Sequence, residues 1–467
     1  MNGFTETPYR HGPLNQTSAR DSRVTQAIAR LRFPAAKRWC NVGRNYQRLT
    51  LFAMTGATPQ HQRWVVLSGL FLVYMASNGV TLHTLPLLYP ELMDSFGWQA
   101  SEVTLPATLF FVIGAVTSPP AGWLLDRYSS RAIIAIGSAL LTLGLSAYSA
   151  TNSLWQLVAV YALLGLALSL CGLVSNMVML TSWFDSGRGR ATGILLTASS
   201  LGGALFPLAV GSGIEQLGWR QTVLLTGVGV GSMMLGSVWF LLRDGRRVMP
   251  ASPPPGHSAN VKQLVIPTLL TRRFAAIVFA TGSLWFIIIA LTQHQSIHLA
   301  RDVGLARSSL PTVFSLFFGC SVVGKFCFGL LSDSFDLHRV MASALLMLAI
   351  ALIALSQIAA DATALLYGYA VVAGLGFSGA FTCIQILIAA HYSGPLYGRI
   401  LATVVLIDTL CGPLGTQTVA RVREWQGDYT AAFVGMAMLA TLSAMTVLSL
   451  TRVTGESESP AQATDAH

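Results

Sequence analysis

Charged residues are scarce in this sequence. Asp, Glu, Lys and Arg make up only 10% of the 467 residues, whereas a soluble globular domain carries about 25%. Hydrophobic residues account for 53% of the chain, and the mean hydropathy is +0.59. This composition excludes a soluble protein and predicts an integral membrane protein.

Motifs for ATP-driven or enzymatic chemistry are also missing. The sequence has no Walker motif, no pair of catalytic carboxylates and no nucleophile elbow. HQSIH (294–298) carries two histidines at zincin spacing, but Gln295 replaces the Glu that such a site needs. Five of the six cysteines lie inside apolar segments, so no disulfide framework is indicated. We therefore expect no enzyme activity, no bound metal and no cofactor.

Twelve apolar segments are long enough to cross a hydrocarbon core of about 30 Å as helices. Their apolar runs are continuous, unlike the short alternating strands of a membrane barrel, so the backbone groups must pair within helices. The sequence thus predicts an all-α membrane protein with twelve transmembrane helices. We number them span 1 to span 12, at 64–88, 103–125, 132–150, 154–182, 191–213, 221–242, 274–297, 310–331, 340–359, 362–390, 400–419 and 429–450.

The positions of the basic residues predict the topology. Thirteen Lys and Arg lie in loops after even-numbered spans, in the central loop and in the C-terminal tail, against five in loops after odd-numbered spans. The positive-inside rule then places both termini and the central loop in the cytoplasm. We expect a multi-pass protein in the lipid bilayer of a plasma membrane, in a bacterium the inner membrane.

The chain divides into two halves and three connecting or terminal segments. Residues 1–63 hold ten Lys and Arg against Glu6 and Asp21, which gives +8 of the net charge of +10, so we expect no nucleic-acid partner. This basic segment resembles a transit peptide, unless translation starts at Met54. The predicted domains are a disordered tail at 1–62, a six-helix bundle at 63–242, a Pro-rich cytoplasmic linker at 243–273, a second six-helix bundle at 274–450 and a tail at 451–467.

The two halves repeat in sequence. Gly165 and Gly374, in spans 4 and 10, are separated by 209 residues. The loop GWLLDRYSSR (122–131) returns as GLLSDSFDLHR (329–339), with Asp126 and Asp333 separated by 207. This near-constant interval predicts two pseudo-symmetric bundles related by an axis along the membrane normal.

The first of these paired loops resembles the Gly-x-Leu-x-Asp-Arg-x-x-x-Arg signature of the major facilitator superfamily. WFDSGRGRATGI (183–194) resembles the segment before span 5 in the monocarboxylate porter and oxalate/formate antiporter branch. The resemblance covers about 64–450. It implies the major facilitator fold and transport by alternating access. We also expect the protein to be a monomer. The resemblance further implies conformational gating at the cytoplasmic ends of the bundles by residues of the paired loops. These residues are Gly122, Asp126, Arg127, Arg131, Gly329, Asp333 and Arg339.

Lys325 is a lone cation in the apolar stretch FSLFFGCSVVGKFCFGLLSD (314–333). It lies six residues before the end of span 8, about 9 Å inside at 1.5 Å per residue. Its stem could extend to the cytoplasmic headgroups, or its ammonium could face a water-filled cavity and bind a carboxylate. The resemblance favours the second interpretation, because porters of that branch carry a substrate-contacting arginine at this position. Their acidic neighbour one turn earlier is Ser321 here.

Asp408 lies nine residues past Arg399 in span 11, roughly 13 Å deep. A short acid cannot reach the surface from there, so it must be protonated, paired or hydrated. Three interpretations stay open. Asp408 is a proton carrier for symport, an ion-pair partner of Lys325, or a protonated acid bonded inside a helix interface.

Four further polar residues lie in spans that line the cavity if the resemblance holds. Each either binds substrate or forms a hydrogen bond between helices. They are His83 in span 1, Asn176 in span 4, His294 in span 7 and Gln385 in span 10.

These features predict a secondary active transporter for a small organic anion, a mono- or dicarboxylate, coupled to protons or working by exchange. Drug or metabolite efflux by the same fold suits the apolar spans equally well. A substrate-sensing receptor is a hypothesis of another class. Such a receptor should carry a folded signalling appendage, and the tails of this chain are short or featureless.

Overall fold

The computed structural model describes residues 60–184, 186–245, 269–359, 361–392 and 397–456. The chain divides into the units Met1–Gln60 and His61–His467, and every described residue except Gln60 belongs to the second. Nearly all of the predicted tail at 1–62, most of the linker at 243–273 and most of the tail at 451–467 lie outside the described residues.

All twelve predicted spans are helical, and the described ranges contain no β-strand. Within the described ranges, ten helical segments are long and apolar enough to cross a membrane. One of them holds both span 5 and span 6, and span 11 is a further helix of 30 residues. The bounds are Gln60–Asn78 and Tyr89–Phe96 (span 1), Ala100–Arg127 (2), Ser130–Ser149 (3), Leu154–Cys171 and Leu173–Trp183 (4), Arg188–Phe240 (5 and 6), Arg272–Ile297 (7), Leu310–Ser334 (8), Leu337–Ser356 (9), Thr363–His391 (10), Tyr397–Gln426 (11) and Thr430–Glu456 (12).

Side-chain caps explain where several helices begin. An oxygen of Ser129, Ser153, Thr271 or Asp336 accepts a hydrogen bond from the backbone N–H three residues further on. Such caps satisfy N–H groups that have no partner inside the helix. The starts of spans 3, 4, 7 and 9 therefore lie within three residues of their predicted positions.

Three places in the helices depart from regular α geometry in ways that the span positions do not predict. Span 1 changes to a π turn at Gly79–Thr84 and a 3₁₀ turn at Leu85–Leu88. Span 4 breaks at Gly172, which has an extended backbone. Spans 5 and 6 have no loop between them: one helix turns into the next at Gly218, whose φ of 77° lies in the left-handed region that favours glycine. Hydropathy reports burial and not backbone dihedral angles, so it does not reveal these breaks.

A packing contact repeats in both halves. Gly165 of span 4 lies against the backbone oxygen of Phe110 in span 2, which a Cβ at position 165 would approach to 2.6 Å. Gly374 of span 10 lies in the same way against the backbone oxygen of Phe317 in span 8. The intervals between these pairs are those of the sequence repeat. Small residues allow the helices to approach closely in each half.

Spans 5 and 8 join the two halves along an antiparallel contact that we call the 5–8 seam. Residue numbers fall on span 8 as they rise on span 5. Gly211 lies against Pro311, and a Cβ at Gly203 would come within 2.6 Å of the Phe318 ring. The next contacts are a 3.0 Å hydrogen bond between the hydroxyls of Ser200 and Ser321 and a 2.8 Å bond between Lys325 and the carbonyl of Leu196.

Spans 2 and 11 form a second antiparallel contact between the halves. Gln417 donates a 2.9 Å hydrogen bond to the hydroxyl of Thr108. Two turns away, the backbone N–H of Ser101 donates to Glu424 at 2.9 Å. The halves are therefore joined by one pair of helices on each side of the interface.

Ion pairs close the end of the molecule that carries the loops after odd-numbered spans, which we call the odd-loop end. Arg307 pairs with Glu91 at 2.5 Å and also with Asp94. Arg301 pairs with Asp94 as well. Each pair joins a residue of the N-terminal half to one of the C-terminal half.

Neutral hydrogen bonds between spans 1 and 7 reinforce this closure. The Tyr89 hydroxyl donates to Gln293 at 2.5 Å, and the Ser296 hydroxyl donates to the carbonyl of Pro86 at 2.6 Å. At the opposite, paired-loop end, Asp126, Asp333 and Arg339 are exposed. The structure therefore represents a state that is closed at the odd-loop end.

Candidate functional site

Lys325 lies where the 5–8 seam ends. Its Nζ donates a 2.8 Å hydrogen bond to the carbonyl oxygen of Leu196, so the side chain crosses from one half of the protein to the other. One turn further on, spans 5 and 8 part: a Cβ at Gly193 or at Gly329 would meet nothing within 4 Å. The side chain does not follow its own helix toward the lipid headgroups.

The ammonium of Lys325 has donors left for another ligand. Leu196 supplies a neutral carbonyl, and the ion pairs found in the described ranges do not include Lys325. An ammonium carries three N–H donors. An anion that enters between the halves therefore finds a cation whose contact in this state is uncharged.

Aromatic rings lie beside this ammonium in the C-terminal half, and we call Trp285, Phe377 and Phe381 the aromatic wall. The Phe381 ring centre is 5.9 Å from Lys325 Nζ. Phe377, one turn earlier on span 10, is parallel to Phe381 within 11°, and Trp285 of span 7 meets Phe381 edge-on at 5.9 Å. Trp285 and Phe381 are partly exposed, whereas Phe377 is buried.

Gln385 extends the same face of span 10. Phe377, Phe381 and Gln385 are spaced by four residues, so they lie one above the other on the helix. Gln385 is exposed. Gln385, one of the four additional polar candidates, therefore lies one turn from Phe381 of the aromatic wall.

His83 lies in the π turn of span 1 and contacts both halves. Its Nε2 is 3.0 Å from the hydroxyl of Ser199 in span 5, and its ring lies 4.1 Å from that of Phe318 in span 8. Its Nδ1 is buried and has no hydrogen-bond partner among the residues described. π turns occur frequently at functional sites. His83 is thus a second polar group at the 5–8 seam.

Asp408 is bonded within the C-terminal half. Its Oδ1 accepts a 2.8 Å hydrogen bond from Thr281 of span 7, and the residue is only 3% exposed. Lys325 and Asp408 form no ion pair in this state, since each has a different partner. The arrangement is that of an acid held in a helix interface beside a single hydroxyl donor.

His294 is fully buried and held from both ring nitrogens. Nδ1 is 2.7 Å from the hydroxyl of Tyr429, and Nε2 is 2.8 Å from the carbonyl oxygen of Thr416. These contacts connect spans 7, 11 and the start of span 12. In this state His294 joins helices of the C-terminal half.

Asn176 is bonded at the break in span 4. Its amide nitrogen donates to the backbone carbonyls of Cys171 and Gly172, both at 2.7 Å. At the break the amide supplies a side-chain donor to both carbonyls, and the Gly172 carbonyl also accepts from the backbone N–H of Asn176 at 3.2 Å. In this state its amide nitrogen stabilises local backbone.

Arg131 is the paired-loop residue with the most contacts inside its own half. Its Nε and Nη2 donate to the carbonyls of Val238 and Trp239, at 2.9 and 2.8 Å. These carbonyls lie at the C-terminal end of span 6, where the helix dipole favours a cation. Arg131 thereby ties span 3 to span 6.

The other paired-loop residues form no contact between the two halves among the residues that the structure describes. Arg127 lies over the Trp123 ring at 4.1 Å. Asp126 makes no ion pair or hydrogen bond to the part of the chain that the structure describes, and a Cβ at Gly122 would meet nothing within 4 Å. Their gating role stays a prediction about the state in which this end closes; the same holds for Gly329, Asp333 and Arg339.

The ion pairs at the odd-loop end and the aromatic wall were not predicted from the sequence. Arg301 and Arg307 are two of only five basic residues predicted on the non-cytoplasmic side, and that rarity was a usable signal. Trp285 and Phe381 gave no such signal, because aromatic residues are common in apolar spans.

Two pseudo-symmetric helical halves that meet along paired helices are the architecture of a secondary transporter. The family model of the Major Facilitator Superfamily matches residues 66–298 and 295–466. The chain therefore belongs to the Major Facilitator Superfamily, whose members are transporters and not enzymes.

The fold is also that of a solved transporter. A bacterial homologue of the human lysosomal transporter Spinster, in an inward-facing and unoccupied conformation, is similar with a TM-score of 0.66 and 15% identity. The similarity covers 85% of this chain and 98% of that chain. It confirms the all-helical major facilitator fold that the sequence predicts.

Two of the curated relatives have names that state what those proteins transport. The gallate transporter of Pseudomonas putida is 24% identical, over 71% of this chain and 79% of that protein. Monocarboxylate transporter 11 of Homo sapiens is 29% identical, over 47% of this chain and 45% of that protein. Other relatives, 25% and 26% identical, have names that specify no substrate.

Proposed function

We propose that the protein is a secondary active transporter of small organic anions, mono- or dicarboxylates, that works by proton coupling or exchange. The observation that carries this proposal is Lys325, whose ammonium bridges the two halves and donates to a neutral carbonyl, with no ion pair among the described residues. A carboxylate is a stronger acceptor for an ammonium than a carbonyl, because the hydrogen bond is assisted by charge. A bound carboxylate therefore competes with Leu196 for Lys325.

This competition supports coupling between binding and conformational change. When a carboxylate takes the ammonium, the 5–8 seam loses its last contact, and the two halves separate more easily there. A ligand shifts a conformational equilibrium only through such differential contacts. His83 lies at the same seam, and its buried Nδ1, which has no hydrogen-bond partner among the described residues, would supply a further hydrogen bond to the ligand when the seam opens.

The names of two relatives support the same ligand chemistry. Gallate and monocarboxylates both carry a carboxylate group. A neutral or cationic drug would leave Lys325 without a counter-charge between the halves, so the efflux alternative is less well supported.

The proposed orientation follows the distribution of basic residues. We place the paired-loop end and both termini on the cytoplasmic side of the plasma membrane, with the protein acting as a monomer in the bilayer. The state described here, closed at the odd-loop end, would then be closed to the outside.

Counterflow in proteoliposomes tests the substrate class. Vesicles loaded with unlabelled lactate, succinate or benzoate should transiently accumulate the same labelled anion, because exchange through a carrier does not need an energy source. Vesicles loaded with neutral sugars or organic cations serve as the comparison. Exchange of a neutral or cationic solute, with no exchange of any carboxylate, would show the proposal to be wrong.

Asp408 is the acid that we propose for proton coupling. Asparagine at this position still accepts the hydrogen bond from Thr281 but cannot take up a proton. Asp408→Asn should therefore keep carboxylate exchange and lose accumulation driven by a pH gradient. Thr281→Val is the matched control, since it removes the hydrogen bond and leaves the acid. Unchanged pH-driven accumulation in Asp408→Asn would remove Asp408 from the mechanism.

A further inference from the structure

We infer that the preferred substrate is an aromatic carboxylate, with its ring on the aromatic wall and its carboxylate on Lys325. The inference rests on the proposed function, which assigns the carboxylate to Lys325, and adds the chemistry of the rest of the ligand. It gives Phe381 and Trp285 a role in specificity.

Phe381 and Trp285 border the space between the halves. Phe381 lies beside Lys325, and Lys325 reaches the backbone of span 5 in the other half. Trp285 in turn contacts Phe381. These contacts place the two partly exposed rings beside the bundle interface, within reach of a ligand held by Lys325.

The two rings form a corner that a flat ligand fits. Their planes meet at 69° with centres 5.9 Å apart. A ligand ring laid against one face presents its edge to the other ring, and aromatic pairs favour both of these arrangements over face-to-face stacking. An aliphatic chain in the same corner would gain contact area but no such preference.

The position of the ammonium matches the shape of an arylcarboxylate. Nζ is 5.9 Å from the Phe381 ring centre, close to the outer limit of about 6 Å for a cation–π contact. The cation lies over the ring but too far away to pack against its face, so the face stays open to a ligand. In an arylcarboxylate the anionic group is one bond from the ring, so a carboxylate on Lys325 brings the ligand ring to the uncovered face.

Buried rings behind Phe381 hold the wall in place. Phe377 is parallel to Phe381, and it also contacts Phe317 at 5.5 Å and Phe318 at 6.2 Å. The wall is thus rigid before a ligand arrives, which lowers the entropic cost of binding. Gln385, exposed one turn further along span 10, offers an amide to a polar ring substituent.

A series of matched ligands tests the inference in the unmodified protein. Benzoate and cyclohexanecarboxylate are similar in size and charge, and only benzoate is aromatic. In counterflow corrected for leak in protein-free vesicles, benzoate should show a half-saturation concentration about 2- to 10-fold lower than cyclohexanecarboxylate. Equal values for the two anions would overturn the inference.

Two substitutions then test whether Phe381 and Trp285 produce the preference for benzoate. Phe381→Leu and Trp285→Leu should remove the preference for benzoate and leave exchange of cyclohexanecarboxylate in place. Phe326→Leu is the matched control, because Phe326 follows Lys325 on span 8 and is 56% exposed; the preference should survive there. If the preference survives in Phe381→Leu and Trp285→Leu as well, the wall does not contact the ligand ring and the inference fails.

The ligand series distinguishes a failure of the aromatic specificity from a failure of the proposed function. If lactate and cyclohexanecarboxylate exchange as well as benzoate, the carboxylate transporter stands and the aromatic specificity is wrong. If no carboxylate exchanges, the proposed function is itself wrong. The ligand series needs no substitution, so a variant that fails to fold does not affect this decision.

Discussion

Replacing Lys325 with methionine should strongly weaken the exchange of carboxylates while the protein still inserts and folds. Methionine keeps an unbranched apolar stem beside Phe381 but has neither charge nor N–H donors. Hydrogen bonds to charged groups contribute about 1.5–3 kcal/mol, which corresponds to a loss of roughly 10- to 150-fold in affinity. The measurement is the initial rate of counterflow as a function of carboxylate concentration, at matched amounts of reconstituted protein.

Two further lysine variants complete this test. Lys262→Gln removes the same charge from the predicted linker, a position outside the described residues, and should exchange carboxylates like the unmodified protein. Lys325→Arg keeps the charge with a different donor geometry, so it should retain part of the exchange. Carboxylate exchange at the normal rate in Lys325→Met would contradict the role assigned to the ammonium.

Lys325 also illustrates what a sequence can predict about a membrane site. A cation inside a long apolar stretch is conspicuous, because charges are costly there, and its depth follows from the helical rise. Its partner in this state is a backbone carbonyl 129 residues away. Every residue has such a carbonyl, so no pattern in the sequence singles out Leu196.

His294 and Asn176 show that a sequence does not distinguish a polar residue that binds a ligand from one that joins helices. Each was as good a ligand candidate as His83, since a polar residue in an apolar span either binds a ligand or joins helices. Only the tertiary structure separates these uses. His294 is bonded on both ring nitrogens, whereas His83 has one buried nitrogen, and Asn176 its amide oxygen, without a partner among the described residues.

The fold was more predictable than the site, and for a physical reason. Twelve helices follow from the thickness of the bilayer and the length of the apolar segments, and the repeat follows from recurring short motifs such as those at Asp126 and Asp333. The breaks at Gly172 and Gly218 do not follow, because glycine is common in membrane helices and each break depends on local backbone angles.

Leucine at Gly211 and leucine at Gly193 should shift the conformational equilibrium in opposite directions. Gly211 lies against Pro311 in the closed part of the 5–8 seam, so a larger side chain there forces spans 5 and 8 apart at the odd-loop end. A Cβ at Gly193 meets nothing within 4 Å in this state. Because the register of the seam places Gly193 opposite Gly329, leucine should instead obstruct closure of the paired-loop end.

The size of the shift follows from the cost of overpacking. Extra volume in a packed contact costs about 1–3 kcal/mol, which changes the ratio of two conformations by roughly 5- to 150-fold. In Gly211→Leu this cost also opposes the ion pairs of Arg307 with Glu91 and Asp94, which require the odd-loop end to be closed. Gly211→Leu should therefore populate the state open at the odd-loop end, and Gly193→Leu should depopulate it.

Distances between spin labels in a cysteine-free background measure both shifts. One pair of labels reports the odd-loop end and the other the paired-loop end, each with one label in either half. Gly211→Leu should lengthen the distance at the odd-loop end and shorten the distance at the paired-loop end. In Gly193→Leu, addition of substrate should produce neither of these changes. Gly236→Leu is the control, because a Cβ there also meets nothing within 4 Å but lies in span 6, away from the seam. Equal distances in Gly211→Leu and Gly236→Leu would mean that the 5–8 seam does not govern closure. Suitable exposed label positions are Trp155 with Gln357 and Tyr128 with Phe335.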